Sequence, residues 1–409
     1  MKHPLALITL LAALSSAHAA DSSKPPTAGL ANTVTRVSAP QATVAERRLP
    51  NGDSELRLLD AQGKVLETTV VNLSRHHRPA TSPEAPLIRL WRSWKFGAFL
   101  CFNSNQYSGS EHCTMRDPMQ FAPAHLDVKQ WAQTIKAAGM THAVLTTSHT
   151  SGFLLWDSPT SEFDVANSDC KTDVVKAFVD ECRAHHIVPG LYYCVWGGPK
   201  YPKDKRVEKR ADSPRAVILY QLRELATRYG EIPYFWIDMM NWAPSDLKPQ
   251  EVYDLLKNIN PNCVVMLNQH IQDGTKLHYF PTDILNGEVI MPPAVGHQAI
   301  RNVDGTDYHL PFEYEPCSQW RPKQKSPGNK NYVWFTYGAG KGFEASQPYP
   351  ATALAADITE ARRRGAANIL LSCAPDHTGR FRQEDVLQLT ELGRLLNSTS
   401  DAKAKTPAP

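Results

Sequence analysis

Apolar and polar positions alternate in blocks that predict strands and helices in turn from Trp91 onward. Short β-branched or aromatic runs predict strands, and apolar positions three or four residues apart predict amphipathic helices. The predicted strands are FGAFLCF (96–102), HAVLTTSH (142–149), VPGLYYCVW (188–196), YFWIDM (234–239), CVVMLN (263–268), YVWFTY (332–337) and NILLSCAPD (368–376). The predicted helices are Leu126–Ala138, Asp173–His185, Pro214–Tyr229, Pro249–Asn258, Thr352–Arg364 and Glu384–Leu396. The stretch 270–330 is irregular, and TDILNGEVI (282–290) is its best match to a strand.

Strands and helices that alternate over this length predict a parallel α/β fold. We therefore expect a (β/α)8-like TIM barrel over residues 87–398, with a small N-terminal β appendage. The appendage belongs to residues 21–86, where SELRLLDAQGKVLETTVV predicts two strands around a turn between proline-rich linkers. Residues 399–409 are expected to be a disordered tail.

The first twenty residues have the pattern of a secretory signal peptide. A basic start precedes an apolar stretch from Pro4 to Leu14, and small residues Ala17 and Ala19 mark a cleavage site. The apolar stretch is too short to span a bilayer. We expect an exported protein, periplasmic or extracellular, with no membrane span.

Composition changes this picture only slightly. The net charge of +3 is close to neutral and the sequence contains no run of basic residues, so nucleic acid is not an expected partner. The eight cysteines lack CxxC or metal-finger spacing, and an exported chain permits disulfides whose pairs the pattern does not name. The oligomeric state is left open.

Polar and aromatic residues recur where the predicted strands end, which is where barrel enzymes place their active sites. These residues are Asn103, His149, Trp196, Asp238, Asn268 and Asp376. Asp238 is the sharpest candidate, because Trp236 lies two residues earlier and both side chains point to the same side of the strand. An alternative role for Asp238 is to cap the next helix.

Glycoside hydrolysis is one reaction that uses an acidic residue such as Asp238. It needs two carboxyl groups, one acting as nucleophile or base and the other as acid. Glu313 and Glu315 lie in HLPFEYEPCSQW, which we assign to a loop before the strand at Tyr332. Either one could instead be a solvated loop charge. His149 could bind a sugar hydroxyl, transfer a proton or be a hydrogen-bonded core histidine. No cluster has metal-ligand spacing, and no phosphate or dinucleotide motif is present.

Several segments together resemble the glycoside hydrolase family 29 α-L-fucosidases, in order and spacing over most of residues 91–397. They are WRSWKFGAFLCF, FAPAHLDVKQWAQTIKAAGMTHAVLTTSHTSGFLLWDS, KTDVVKAFVDECRAHHIVPGLYYCVW, FWIDM and GAANILLSCAPDHTGRF. The resemblance implies a (β/α)8-like barrel and a retaining glycosidase without metal or organic cofactor. Its substrate would be a glycan or glycoside.

The resemblance also implies roles for individual residues. Asp238 corresponds to the nucleophile of the family, and Glu315, two residues before Cys317, to the acid/base, with Glu313 as a rival. The residues expected to bind substrate are His149, Glu111, Tyr192, Trp236 and Trp334.

Some sugar-binding positions depart from the family pattern. Where the family has a second histidine and then an aspartate after His149, this chain has Thr150 and Ser151. It has Cys101-Phe102 in place of a His-Trp pair, and His112 in place of the tryptophan that follows the residue corresponding to Glu111. We therefore expect an exo-glycosidase of altered specificity, acting on fucose or a related deoxy or methylated sugar. The alternatives are a catalytically weak or inactive sugar-binding barrel and a purely structural exported barrel.

Overall fold

A computed structural model of the chain describes residues 42–109, 115, 117–195, 213–270, 276–322, 331–339 and 344–404, which all belong to one compact unit. The strands are β1 (Thr43–Arg48), β2 (Ser54–Leu59), β3 (Val65–Val71), β4 (Phe96–Leu100), β5 (His142–Ser148), β6 (Val188–Cys194), β7 (Tyr234–Asp238), β8 (Val264–Leu267), β9 (Leu285–Glu288), β10 (Ile300–Val303), β11 (Thr306–His309), β12 (Phe312–Glu315), β13 (Gln319–Trp320), β14 (Tyr332–Val333), β15 (Gln347–Pro348) and β16 (Ala366–Ser372). The helices are α1 (Pro86–Trp94), α2 (Asn105–Ser108), α3 (Val128–Ala137), α4 (Val174–Ala184), α5 (Pro214–Arg228), α6 (Pro249–Ile259), α7 (Ala351–Arg363) and α8 (Gln383–Ala404), with 3-10 turns at Pro118–Gln120, Val165–Asn167 and Met240–Trp242.

Eight parallel strands form the central sheet in the order β8-β7-β6-β5-β4-β16-β12-β9. Every neighbouring pair in this order is parallel, and the two end strands β8 and β9 also contact each other. The sheet is thus a nearly closed barrel with helices in the connections, which confirms the (β/α)8-like prediction. All the strand C-terminal ends lie on one side of the barrel, the mouth.

Local side chains explain where two of the barrel helices begin. Asp127 precedes α3 and accepts a hydrogen bond of 2.9 Å from the backbone N–H of Gln130. Asp173 precedes α4 and accepts one of 2.8 Å from the N–H of Lys176. Each bond satisfies an N–H group that the first helical turn leaves without an intrahelical partner.

The barrel strands are buried on both faces, and their side chains form two separate apolar layers. Outward-facing side chains pack against the helices, and inward-facing aromatic side chains fill the barrel. Trp91 and Trp94 of α1 join the interior layer, and the Trp94 ring lies 5.4 Å from His142 and 6.0 Å from Tyr234. Because those two residues begin their strands, α1 closes the N-terminal end of the barrel and leaves the mouth for chemistry.

The seventh barrel strand differs from its prediction. It is β12, whereas the predicted strand YVWFTY contributes only β14 to a small antiparallel sheet with β13 and β15. The segment Phe312–Glu315 alternates apolar and acidic residues, a pattern typical of an exposed loop or edge strand, yet all four residues are buried. The strand predicted within residues 282–290 is present as β9.

The N-terminal appendage is an antiparallel sheet in the order β1-β2-β3. Its β2 and β3 are the two predicted strands, and β1 was not predicted. At the other end of the chain, α8 runs to Ala404.

Two further observations concern the described residues as a set. None of their helices combines the length and apolar character needed to cross a bilayer. Four cysteines, Cys170, Cys182, Cys263 and Cys373, carry free thiols, and burial raises the pKa of the Cys170 thiol to about 11 and that of Cys263 to about 12.

Candidate active site

Asp238 ends β7 at the barrel mouth, and its carboxylate is surrounded by donors. Tyr192 donates its hydroxyl to Oδ2 at 2.6 Å. Oδ1 accepts from the side-chain amide of Asn268 at 2.9 Å and from the backbone N–H of Met239 at 2.8 Å. The imidazole Nε2 of His270 lies 3.2 Å from the same oxygen. The site is therefore built to hold a negative charge, because hydrogen bonds to a carboxylate favour its ionised form.

Three residues other than glycine at this mouth have a left-handed backbone. Met239, His270 and Val289 follow β7, β8 and β9 and have φ values of 64°, 48° and 53°. A left-handed backbone is costly for residues other than glycine, and most of all for a β-branched valine. Such strain persists where surrounding contacts impose it, and here the Met239 conformation brings its N–H to Asp238.

His270 lies between two carboxylates. Its Nδ1 is 3.7 Å from a carboxylate oxygen of Glu288, on the side opposite to Asp238. Burial lowers the pKa of His270, but interaction with Asp238 and Glu288 outweighs burial and raises that pKa to about 10. Burial likewise raises the pKa of Asp238, but His270, Tyr192 and Asn268 together lower it to about 2. Both shifts favour an imidazolium beside a carboxylate.

An aromatic stack forms one wall of the site. The His149 ring stacks on Tyr192 at 5.6 Å, and Tyr192 stacks on Trp236 at 5.2 Å. Phe335 packs edge-on against His149 at 5.1 Å. The His149 Nδ1 also lies 3.1 Å from the side-chain amide nitrogen of Asn105. His149 is thus positioned by neighbours at the mouth, and it lies beside the tyrosine that contacts Asp238.

Glu313 and Glu315 both point into the barrel from β12, which corrects their assignment to a loop. Tyr234 donates its hydroxyl to Glu313, and the Trp236 indole donates to Glu315 Oε1 at 2.9 Å. Because Tyr234 and Trp236 occupy successive inward positions of β7, Glu313 lies one layer deeper than Glu315. Glu315 is paired in register with Glu288 on β9, at the mouth end of both strands.

Burial favours the neutral form of these two glutamates. Burial raises the pKa of Glu313 to about 8. Burial also raises the pKa of Glu315 well above its usual value, and the neighbouring carboxyls of Glu313 and Glu288 add to the effect. The Oε2 atom of each side chain has no hydrogen-bond partner among the described residues. Trp236 of β7 thus contacts a carboxyl group whose raised pKa favours the protonated form, and Asp238, whose lowered pKa favours the ionised form, follows two residues later on β7.

The remaining predicted residues are not all brought to this site. Asp376 accepts hydrogen bonds from Thr378, and Asn103 donates to the Thr146 carbonyl, so both order local backbone. Trp334 is half-buried, with its ring 6.4 Å from that of Phe99 inside the barrel. Glu111 and Trp196 lie outside the described residues.

Sequence reasoning missed two residues of the site, His270 and Glu288. His270 follows the predicted strand CVVMLN by two residues, and Glu288 lies within TDILNGEVI. The available signal was the position of both residues at a strand end, but the irregular stretch 270–330 obscured it. In the part of the chain that is described, no group of three His, Cys, Asp or Glu side chains is placed to hold a metal ion.

Comparison with known proteins agrees with this architecture. The alpha-L-fucosidase family model matches residues 89–401. Alpha-L-fucosidase 1 of Arabidopsis thaliana is 32% identical over 177 residues, 41% of this chain and 34% of that protein. Putative alpha-L-fucosidase 1 of Oryza sativa is 36% identical over 152 residues, 36% of this chain and 28% of that protein. The chain thus matches only about a third of the length of these curated relatives.

Solved structures show the same fold. Alpha-L-fucosidase isoenzyme 1 from Paenibacillus thiaminolyticus superimposes with a TM-score of 0.58 at 22% identity, over 78% of this chain and 77% of that one. A putative alpha-L-fucosidase from Bacteroides ovatus gives a TM-score of 0.59 at 22% identity, over 76% of this chain and 55% of that one. Since the family model covers most of the chain, this protein belongs to the alpha-L-fucosidase family.

Proposed function

We propose that the chain is an exported, retaining exo-glycosidase of the α-L-fucosidase type, which releases terminal fucose or a related deoxy sugar from glycans. Family membership supports glycoside hydrolysis. The observation that supports the mechanism is that two buried carboxyl groups at the mouth have opposite surroundings: burial raises the pKa of Glu315, whereas hydrogen-bond donors and His270 lower the pKa of Asp238. Two carboxyl groups whose pKa values are pushed apart are what acid and nucleophile roles require.

In this proposal Asp238 attacks the anomeric carbon, and its donors indicate which oxygen does so. Oδ1 is surrounded by Asn268, the Met239 N–H and His270, whereas Oδ2 accepts one hydrogen bond, from Tyr192. Oδ2 is therefore the oxygen available to form the glycosyl ester, and Oδ1 becomes the ester carbonyl that keeps its donors.

Glu315 gives its proton to the leaving oxygen and, as a carboxylate, later activates water. It is preferred to Glu313 because it lies one layer nearer the mouth, in register with Glu288. The substrate-binding residues of the proposal are His149, Tyr192, Trp236, Trp334 and Glu111. The edge-on contact of Phe335 with His149 adds an apolar wall, which suits the methyl group of a deoxy sugar.

The first test is hydrolysis of a panel of aryl glycosides that includes fucose, galactose and rare deoxy sugars. Asp238→Asn is expected to lower kcat on any substrate found by at least about 10³-fold, because the amide cannot act as the nucleophile. Sugar binding should be retained. The control is Asp180→Asn on the outer surface of α4, where the same chemical change is remote from the mouth. Wild-type turnover by Asp238→Asn would refute the mechanism.

A second test separates the acid from the nucleophile. Glu315→Ala should slow substrates with poor leaving groups most, since these need protonation. Added azide should partly restore rates on activated aryl glycosides, because it can attack the covalent intermediate in place of activated water. Loss of activity that is independent of the leaving group would assign the acid role elsewhere.

A sugar-binding barrel with little or no catalysis is the second candidate function. One observation favours it: the Glu315 carboxyl is fully buried, with Trp236 as its side-chain donor. Calorimetric titration with sugars decides between the two candidates. Binding without turnover of any glycoside in the panel would support this second function.

Export belongs to the same proposal and rests on residues 1–20, which lie outside the described part of the chain. Cleavage after the small residues Ala17 and Ala19 would place the mature N-terminus near Ala20. Intact-mass measurement of the protein isolated from its host should give the mass of the shortened chain. Retention of Met1 would contradict export by this route.

A further inference from the structure

His270 is the one cationic side chain seen in contact with Asp238 among the described residues, and its surroundings are specific. Its Nε2 lies 3.2 Å from Asp238 Oδ1 and its Nδ1 lies 3.7 Å from Glu288 Oε2. Nε2 is buried and its contact with Asp238 is an ion pair rather than a hydrogen bond of good geometry. The side chain as a whole is 27% exposed.

The second carboxylate is available for the other ring nitrogen. Asn268 Nδ2 lies 3.4 Å from Nδ1, but an amide nitrogen only donates and cannot accept a hydrogen bond from a protonated Nδ1. Glu288 is therefore the acceptor left for a proton on Nδ1. The left-handed backbone of His270 is stabilised by its own N–H, which donates to Asn268 Oδ1 at 3.1 Å. The His270 backbone is thus fixed to Asn268 just after β8, while β7 and β9 supply the two carboxylates.

We infer that His270 is a positioning residue for the proposed glycosidase reaction: an imidazolium held between Asp238 and Glu288 that keeps Asp238 ionised, with Glu288 keeping the imidazole protonated. The inference rests on the proposed function. The raised pKa of His270, about 10, agrees with it. Other groups facing this cluster are Tyr192 on β6, Glu315 on β12 and Tyr279, whose pKa is raised by burial and by Asp238.

Glu288 matters because Asp238 loses its charge during the reaction. As Asp238 Oδ2 forms its bond to the anomeric carbon, the glycosidic bond breaks and the leaving oxygen takes the proton of Glu315. The carboxylate at Asp238 becomes a neutral ester, while His270 changes no bond and keeps both protons. The negative charge lost at Asp238 reappears on Glu315, which is paired in register with Glu288, and Glu288 remains the carboxylate in contact with His270. When water, activated by the Glu315 carboxylate, cleaves the ester, Glu315 regains its proton and the carboxylate at Asp238 is restored beside a cation that stayed in place.

The first experiment is the pH dependence of kcat/KM for His270→Gln and His270→Arg on the best substrate of the panel. In His270→Gln the acidic limb, which reports ionisation of Asp238, should move to higher pH by on the order of 1–3 units. In His270→Arg, which restores a permanent cation, the limb should return toward its wild-type position. The control is His278→Gln, the same change at an exposed histidine in the next loop. An acidic limb that stays in place in His270→Gln would overturn the inference.

A second experiment does not depend on turnover and needs only one of the two His270 variants to fold. NMR titration of the histidine rings should give His270 a pKa well above that of an exposed histidine, with its signal assigned by loss in His270→Gln or His270→Arg. Asp238→Asn and Glu288→Gln should each lower that pKa by a unit or more. If no glycoside is cleaved but these shifts occur, the proposed function fails and the charge arrangement stands. A His270 pKa that stays unchanged in Asp238→Asn or in Glu288→Gln overturns the inference.

Discussion

At the residue scale, the site depends on which face of a strand each side chain occupies. Tyr192 and Tyr193 are neighbours on β6, but their hydroxyls reach different surroundings. Tyr192 points into the barrel and donates to Asp238 at 2.6 Å, whereas Tyr193 points outward and donates to Gln221 on α5 at 2.7 Å. Burial raises the pKa of both phenols well above the usual value, so both remain protonated donors.

This contrast predicts different effects for the same substitution. Tyr192→Phe removes the donor on Oδ2, and a hydrogen bond to a charged group contributes about 1.5–3 kcal/mol. We expect kcat/KM to fall about tenfold or more, and the acidic limb of the pH profile to move to higher pH, because the pKa of Asp238 rises. Tyr193→Phe should leave both unchanged. Equal kinetic losses in the two variants would show that the effect is structural rather than electrostatic.

At the element scale, β12 has the least conventional composition of the barrel strands. Its Glu313 and Glu315 face the interior, where neighbouring strands place tyrosine, tryptophan and asparagine. A carboxyl group that is buried without a cationic partner stays neutral, because an uncompensated charge in an apolar interior is costly. The strand therefore folds with protonated glutamates and resists their ionisation.

The sign of the resulting pH dependence follows from the raised pKa of Glu313. Between an unfolded pKa of about 4.3 and the folded pKa of about 8, the folded state binds more protons, so stability falls as pH rises through that range. Glu313→Gln removes this loss and should make the protein more stable than wild type at pH 9, with little gain at pH 4. Urea unfolding at both pH values measures it, with exposed Glu84→Gln as the control. This account is contradicted if the wild-type free energy of unfolding instead rises from pH 4 to pH 8, the range over which the Glu313 carboxyl would lose its proton.

At the scale of the whole molecule, the appendage is attached to the barrel by charged groups. Arg215 at the start of α5 is buried and pairs with Glu46 of β1 and with Glu251 of α6, the latter at 2.7 Å. Further along α5, Arg223 pairs with Glu67 of β3 at 3.1 Å but is 28% exposed. One helix thus holds two strands of the appendage through ion pairs of very different burial.

The difference in burial predicts different costs. Arg215→Ala leaves Glu46 and Glu251 without their buried cation and should lower the free energy of unfolding by about 3–5 kcal/mol. Arg223→Ala breaks a partly solvated pair and should cost no more than about 1 kcal/mol. Denaturant unfolding of the two variants compares them directly. Similar losses in both would mean that the appendage and barrel are not coupled through Arg215.

The sequence by itself determined the alternation of strands and helices, the N-terminal sheet and the candidate Asp238, because these depend on periodicity within short segments. The common face of Trp236 and Asp238 follows from the two-residue repeat of a strand. Only the tertiary structure decided that Glu313 and Glu315 face an apolar interior and that His270 and Glu288 meet Asp238. These contacts join β7, β8, β9 and β12, whose proximity is set by barrel closure and strand register. Local patterns do not encode that proximity, so an inward-facing glutamate has the same sequence signature as a solvated one.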